Sequence, residues 1–135
     1  MNTTILNPKT EFLLGAGLDV LHFESREWMD TVDFWKDEVR FFNDLLKKKE
    51  VSKKNDSEYE MMLKNLDKVH TDLFDDLEVS IVEHEQLLSR IELAEEGLSD
   101  DDYRERHHEI SLRMADFTKE FKAFKRVVFD YTKKL

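Results

Sequence analysis

Residues 103–135 read YRERHHEISLRMADFTKEFKAFKRVVFDYTKKL and repeat apolar or aromatic side chains at an alternating spacing of three and four residues. The repeating positions are Tyr103, His107, Ile110, Met114, Phe117, Phe121, Phe124, Val128, Tyr131 and Leu135. This spacing follows the period of an α-helix, so it predicts one long helix with a single buried face.

Two earlier stretches of the chain carry the same spacing. The first consists of Leu14, Leu18, Leu21, Ser25, Trp28, Val32, Trp35, Val39, Phe42 and Leu46. The second consists of Tyr59, Leu63, Leu66, His70, Leu73, Leu77, Ser80, His84, Leu87, Ile91, Ala94 and Leu98. Flanking apolar positions on the second stretch, Phe74, Ile81 and Leu88, widen its buried face. The three stretches predict helices at about residues 17–50, 57–96 and 99–135.

Short turns separate these helices. Ser57, with Glu60 three residues later as its capping-box partner, is expected to cap the second helix, and Gly97 is typical of a helix end. Two short turns between long helices predict an all-α, antiparallel three-helix bundle with up-down-up order and coiled-coil-like packing. Residues 1–16 precede the first helix, and we interpret them as a strap or a short helix.

Composition narrows the classes of function. The chain has 135 residues, no cysteine and a formal net charge of −10. Without cysteine there are no disulfides, thiolate metal sites or cysteine nucleophiles, and a reducing compartment is favoured, so we expect a cytoplasmic protein. The negative charge opposes binding to nucleic acid, and no stretch approaches the roughly 20 apolar residues that cross a membrane.

Catalytic motifs are missing from the sequence. There is no Gly-x-Ser-x-Gly nucleophile motif and no glycine-rich phosphate loop followed by lysine. We therefore predict a non-catalytic interaction module, acting as a scaffold, adaptor or regulatory protein, and expect no cofactor.

A second apolar strip on the first helix predicts self-association or binding to a protein partner. Phe34 and Phe41 lie well off the buried stripe, with Leu45 beside them. Aromatic side chains at such positions indicate burial against something outside the three-helix core, and we predict a homodimer. The alternative is that residues 1–16 fold back over the strip.

Five histidines are the residues of greatest chemical interest. His70, His84 and His107 fall on the buried stripes, and the simplest interpretation is that each is a hydrogen-bonded core residue. Counting residues through the turns places His107 roughly 9 Å along the bundle axis from His84, so the rings are expected to be scattered. Neutral buried histidines would make the bundle looser in acid, which suggests a pH-responsive regulator as a further hypothesis.

The alternative function is a metal-binding bundle that holds iron or zinc. The same residue count brings His22 level with His84, and carboxylates nearby could complete a site. The candidate ligands are His22, His84, Glu24, Glu83 and Glu85. The Glu-x-x-His pattern of carboxylate-bridged di-iron bundles occurs once, at Glu105 to His108, and points away from the core.

Overall fold

The computed structural model describes residues 17–48, 56–92 and 100–134, which form three long helices. The first, α1, spans Leu18–Lys47. The second, α2, consists of an α-helical part at Ser57–His70, a π-helical part at Thr71–Leu77 and a second α-helical part at Glu78–Glu92. The third, α3, spans Asp100–Thr132. None of the described residues belongs to a β-strand.

The buried faces of α1 and α3 are those that the spacing predicted. On α1 every stripe position from Leu21 to Leu46 is buried, and on α3 every stripe position from Tyr103 to Tyr131 is buried. These side chains meet those of α2 in a core rich in aromatic rings, where Trp35 packs on Phe117 at 4.8 Å between ring centroids. The prediction of an all-α three-helix bundle is confirmed.

The buried face of α2 changes phase in its π-helical part. Its buried residues are Tyr59, Met62, Leu66, Val69, Leu73, Leu77, Ile81, His84 and Leu88. From Leu73 to Ile81 the steps are four and four, so one residue is added to the regular pattern. A π-helical turn absorbs one extra residue, and the backbone N–H of Glu78 accordingly bonds the carbonyl of Leu73, five residues earlier.

This phase change corrects the predicted position of His70. The regular pattern placed His70 in the core, but its side chain is exposed and stacks on Phe74 at 4.3 Å between ring centroids. Val69 occupies the buried position instead. Phe74 itself is half-buried, since the cationic groups of Lys36 and Arg40 lie 5.2 and 5.8 Å from its ring centroid.

Polar contacts join the three helices at the end where α2 begins. Asp56 caps α2 by accepting hydrogen bonds from the backbone N–H groups of Glu58 and Tyr59, so the predicted capping role of Ser57 is wrong. The hydroxyl of Tyr131 donates to Asp56 at 2.6 Å, which ties α3 to the start of α2. The Tyr59 hydroxyl donates to the carbonyl of Leu46 on α1. These contacts require α2 to run antiparallel to its neighbours.

The predicted strap at residues 1–16 lies outside the described residues, as do residues 93–99 around Gly97. The described helices therefore begin and end inside the predicted bounds, and the domain limits stay a prediction. Among the described residues no helix combines the length and the apolar character needed to cross a membrane.

The π-helical part of α2 predicts an unusual tolerance to deletion. Removing the exposed Asp75 would restore steps of three and four between Leu73 and Leu88, so the apolar face would stay aligned. Removing the exposed Lys64 from the regular part of α2 would instead rotate everything before it by about 100° relative to the core. We expect the Asp75 deletion to keep a cooperative thermal transition by circular dichroism and the Lys64 deletion to lose it. Equal damage from both deletions would contradict this explanation of the π-helical turn.

Candidate functional site

A buried polar layer interrupts the apolar core near the end of the bundle where α1 begins. Each helix contributes one residue to it: Ser25 from α1, His84 from α2 and His107 from α3. A small apolar cluster around Leu21 lies on one side of the layer, and the main core, beginning with Trp28, lies on the other. These three are the polar residues among those fully buried in the described chain.

Hydrogen bonds link the two histidines to a carboxylate. His84 Nε2 lies 3.0 Å from His107 Nδ1, and His107 Nε2 lies 2.7 Å from Glu24 Oε1. An ionised carboxylate can only accept, so His107 carries its proton on Nε2 and accepts at Nδ1. His84 must then donate from Nε2. Its own Nδ1 is buried as an acceptor and makes no hydrogen bond with the described residues.

Aromatic rings enclose this pair. Trp28 stacks on His107 at 4.4 Å between ring centroids, and Tyr103 stacks on His84 at 4.1 Å with the two planes 5° apart. Burial raises the pKa of Tyr103 to about 12, an effect that the neighbouring Ser25 hydroxyl partly offsets. The rings keep water away from both imidazoles.

Burial keeps both imidazoles neutral. It lowers the pKa of His84 to about 3, helped by the neighbouring His107 and by the positive charge of Arg106. It lowers the pKa of His107 to about 4, helped by Arg104. The Glu24 carboxylate faces His107 and opposes this effect, because a nearby negative charge favours the imidazolium. Both pKa values lie below the ordinary value of 6.5 for histidine.

The predicted separation of His84 from His107 is wrong. The prediction placed the two rings roughly 9 Å apart along the bundle axis, which corresponds to about six residues of helix. The structure instead pairs His84 with His107 and Ser80 with Arg113. At His84 the two helices are therefore shifted past each other by about that distance relative to the predicted register.

The five candidate metal ligands contact different partners. His22 Nδ1 lies 2.6 Å from Glu85 Oε2, whereas His84 pairs with His107. Glu83 lines a surface groove of about 660 Å³ between α2 and α3. The described helices hold no group of three or more histidine, aspartate or glutamate side chains placed to bind a metal ion. The metal-binding alternative stays a prediction.

The predicted apolar strip on α1 faces outward. Phe34 is 64% exposed and Phe41 is 57% exposed, while Leu45 is half-buried against the core. Phe23 is 65% exposed and lies on the same face, eleven residues or three turns before Phe34. The sequence interpretation missed Phe23, although this spacing was available to it. Phe23, Phe34, Phe41 and Leu45 are called the phenylalanine strip below.

The strip borders α3. Phe41 contacts Phe42, and Phe42 contacts Phe129 of α3 at 5.7 Å between ring centroids. Phe129 is 48% exposed, so it extends the apolar surface across the groove between α1 and α3. Beside the strip, Lys125 of α3 pairs with Glu38 of α1 at 3.1 Å.

Comparison with known proteins adds no relative. Neither the protein-family models, nor the curated proteins, nor the solved structures contain a match to this chain. The functional interpretation therefore depends on the polar layer and the phenylalanine strip.

The histidine pair predicts a specific loss of stability in acid. In the unfolded chain each histidine takes up a proton near pH 6.5, but the buried rings do so only near pH 3 and 4. The unfolded state therefore binds more protons as the pH falls from 6.5 to about 4, and the free energy of unfolding decreases across that range. At pH 5 the loss is about 2 kcal/mol for each histidine.

Urea unfolding at pH 7.5 and pH 5.0 measures this effect. The double variant His84→Leu/His107→Leu should lose less stability between the two pH values than the wild type does, by several kcal/mol. The exposed His70→Leu is the control and should behave like the wild type. The same acid-induced decrease in the double variant and in the wild type would contradict the assignment.

Proposed function

We propose that this protein is a non-catalytic interaction module that forms a homodimer through the outward face of α1. The observation that carries the proposal is the phenylalanine strip, in which Phe23, Phe34 and Phe41 are each more than half exposed along one line of the helix. Several large apolar side chains exposed on one face are typical of protein interaction sites. The reducing compartment that its composition favours makes the cytoplasm the proposed location.

The three-helix core does not account for these phenylalanines. The inner face of α1 is already filled by an unbroken series of buried side chains from Leu21 to Leu46. A charged residue would suit the outer positions at least as well, because phenylalanine is the weaker helix former. Burying the exposed part of one ring against a partner contributes about 1–2 kcal/mol, so the strip offers a clear gain on association.

A second copy of the chain is a suitable partner because the same molecule carries complementary charge. Acidic side chains surround the first half of the strip, among them Glu27 and Asp30. Exposed cations lie beside its other end on α3, among them Lys122 and Arg126. Two copies can therefore cover their strips and pair opposite charges at the same time.

Sedimentation equilibrium tests the proposal. We expect the wild type to sediment as a dimer and the Phe34→Glu/Phe41→Glu variant as a monomer, because the variant places four carboxylates in the interface of a dimer. Met61→Glu is the matched control, since Met61 is 60% exposed but lies on α2. It should stay dimeric. A monomeric wild type, or a dimer that the double variant leaves intact, would overturn the proposal.

A further inference from the structure

We propose that the two copies pack antiparallel across the α1–α3 face, with the twofold axis beside Phe34. This inference rests on the proposed homodimer and adds its geometry. Two independent observations carry it: the even spacing of Phe23, Phe34 and Leu45 along α1 and the separation of charge along α1 and α3.

Three of the four strip residues are evenly spaced about Phe34, whereas the fourth, Phe41, has Glu27 at the matching position on the other side. Phe23 lies eleven residues before Phe34 and Leu45 lies eleven residues after it, and eleven residues are close to three whole helical turns. A twofold axis at Phe34 therefore brings Phe23 of each copy level with Leu45 of the other. The two Phe34 rings meet at the axis. In a parallel arrangement each of these residues would instead lie level with the same residue of the other copy, so their even spacing about Phe34 would have no effect.

Charge is divided between the two ends of the α1–α3 face. Residues 18–33 of α1 carry five acidic side chains and one arginine, whereas Asp102, Glu105 and Glu109 of α3 line the groove toward α2. Residues 119–134, at the end of α3 and just beyond it, carry six basic side chains and two acidic ones. Because α1 and α3 run parallel, one end of the face is acidic and the other is basic. Antiparallel packing joins opposite ends, whereas parallel packing joins like ends.

The positions of individual residues along the bundle axis agree with this arrangement. Glu24 contacts His107, 83 residues later, and Glu38 contacts Lys125, 87 residues later. Residues of α3 thus lie level with α1 residues about 85 positions earlier, which places Lys122 near residue 37 and Arg126 near residue 41.

A twofold axis at Phe34 brings residue 41 of one copy level with residue 27 of the other, and residue 37 level with residue 31. Arg126 then lies level with Glu27 of the second copy, and Lys122 lies within one residue of the level of Asp30. All four side chains are exposed in the single chain. They are therefore available to pair between copies.

Pulsed electron paramagnetic resonance can measure the orientation. The chain has no cysteine, so Asp33→Cys and Lys48→Cys each provide one site for a nitroxide label. In the antiparallel dimer, the two copies of residue 33 are about 3 Å apart along the helix axis and those of residue 48 about 42 Å apart. In a parallel dimer both pairs are level, so both distances are short.

The outcomes separate this inference from the proposed function. A short distance at residue 33 with a long distance at residue 48 supports the antiparallel dimer. A dimer with a short distance at residue 48 overturns the geometry and leaves the proposed function standing. A monomer by sedimentation, with no distance between labels, overturns both.

Charge reversal gives a second, independent test. The Lys122→Glu/Arg126→Glu variant places acidic side chains against the acidic end of the second copy, so its dimer dissociation constant should rise at least about tenfold. Adding Glu27→Lys and Asp30→Lys should restore the affinity. Lys64→Glu on α2 is the control and should leave the dissociation constant unchanged. Failure of the added reversals to restore affinity would overturn the pairing.

Discussion

The hydrogen bond between His84 and His107 fixes how the helices of this bundle align. Apolar seams tolerate sliding, because one aliphatic or aromatic side chain can replace another at a given height. The buried imidazoles do not, since a slip of one helical turn, about 5.4 Å, would separate the two nitrogens and leave both without a partner. Glu24 extends the same requirement to α1. One polar layer therefore sets the register of all three helices.

That register determines what the surface presents. With α2 aligned by His84, α1 and α3 lie parallel beside each other with their acidic starts at one end and the basic second half of α3 at the other. The outward face of α1 carries the phenylalanine strip, which borders α3 near Phe41. The strip and its acidic neighbours lie on α1 and the cations lie on α3, and only the packed bundle brings them together.

Sequence spacing predicted the buried stripe of α1 from Leu21 to Leu46 and that of α3 from Tyr103 to Tyr131, but it misplaced part of the stripe of α2, for a local reason. Along α1 and α3 the apolar period is unbroken, so a single helical phase describes each helix. On α2 the one-residue addition near Phe74 changes the phase, and a regular pattern then assigns His70 to the core in place of Val69. The histidine pair was missed because its two rings are 23 residues apart in sequence. Their distance depends on the register between α2 and α3, and an error of about six residues in that register moves His107 by about 9 Å relative to His84.

The two features of this molecule act on different equilibria. The polar layer is sealed by Trp28 and Tyr103, so its protonation changes the balance between the folded and unfolded chain. The rings of Phe34 and Phe41 already meet water in the single chain, so covering them changes the balance between one copy and two. Glu24 is the point of contact between them, because it binds His107 and directly follows Phe23 at the end of the strip. A dimer that covers Phe23 would reduce the access of water to Glu24. In a less polar setting the Glu24 carboxylate attracts a proton on His107 more strongly, so it favours the charged form of that imidazole.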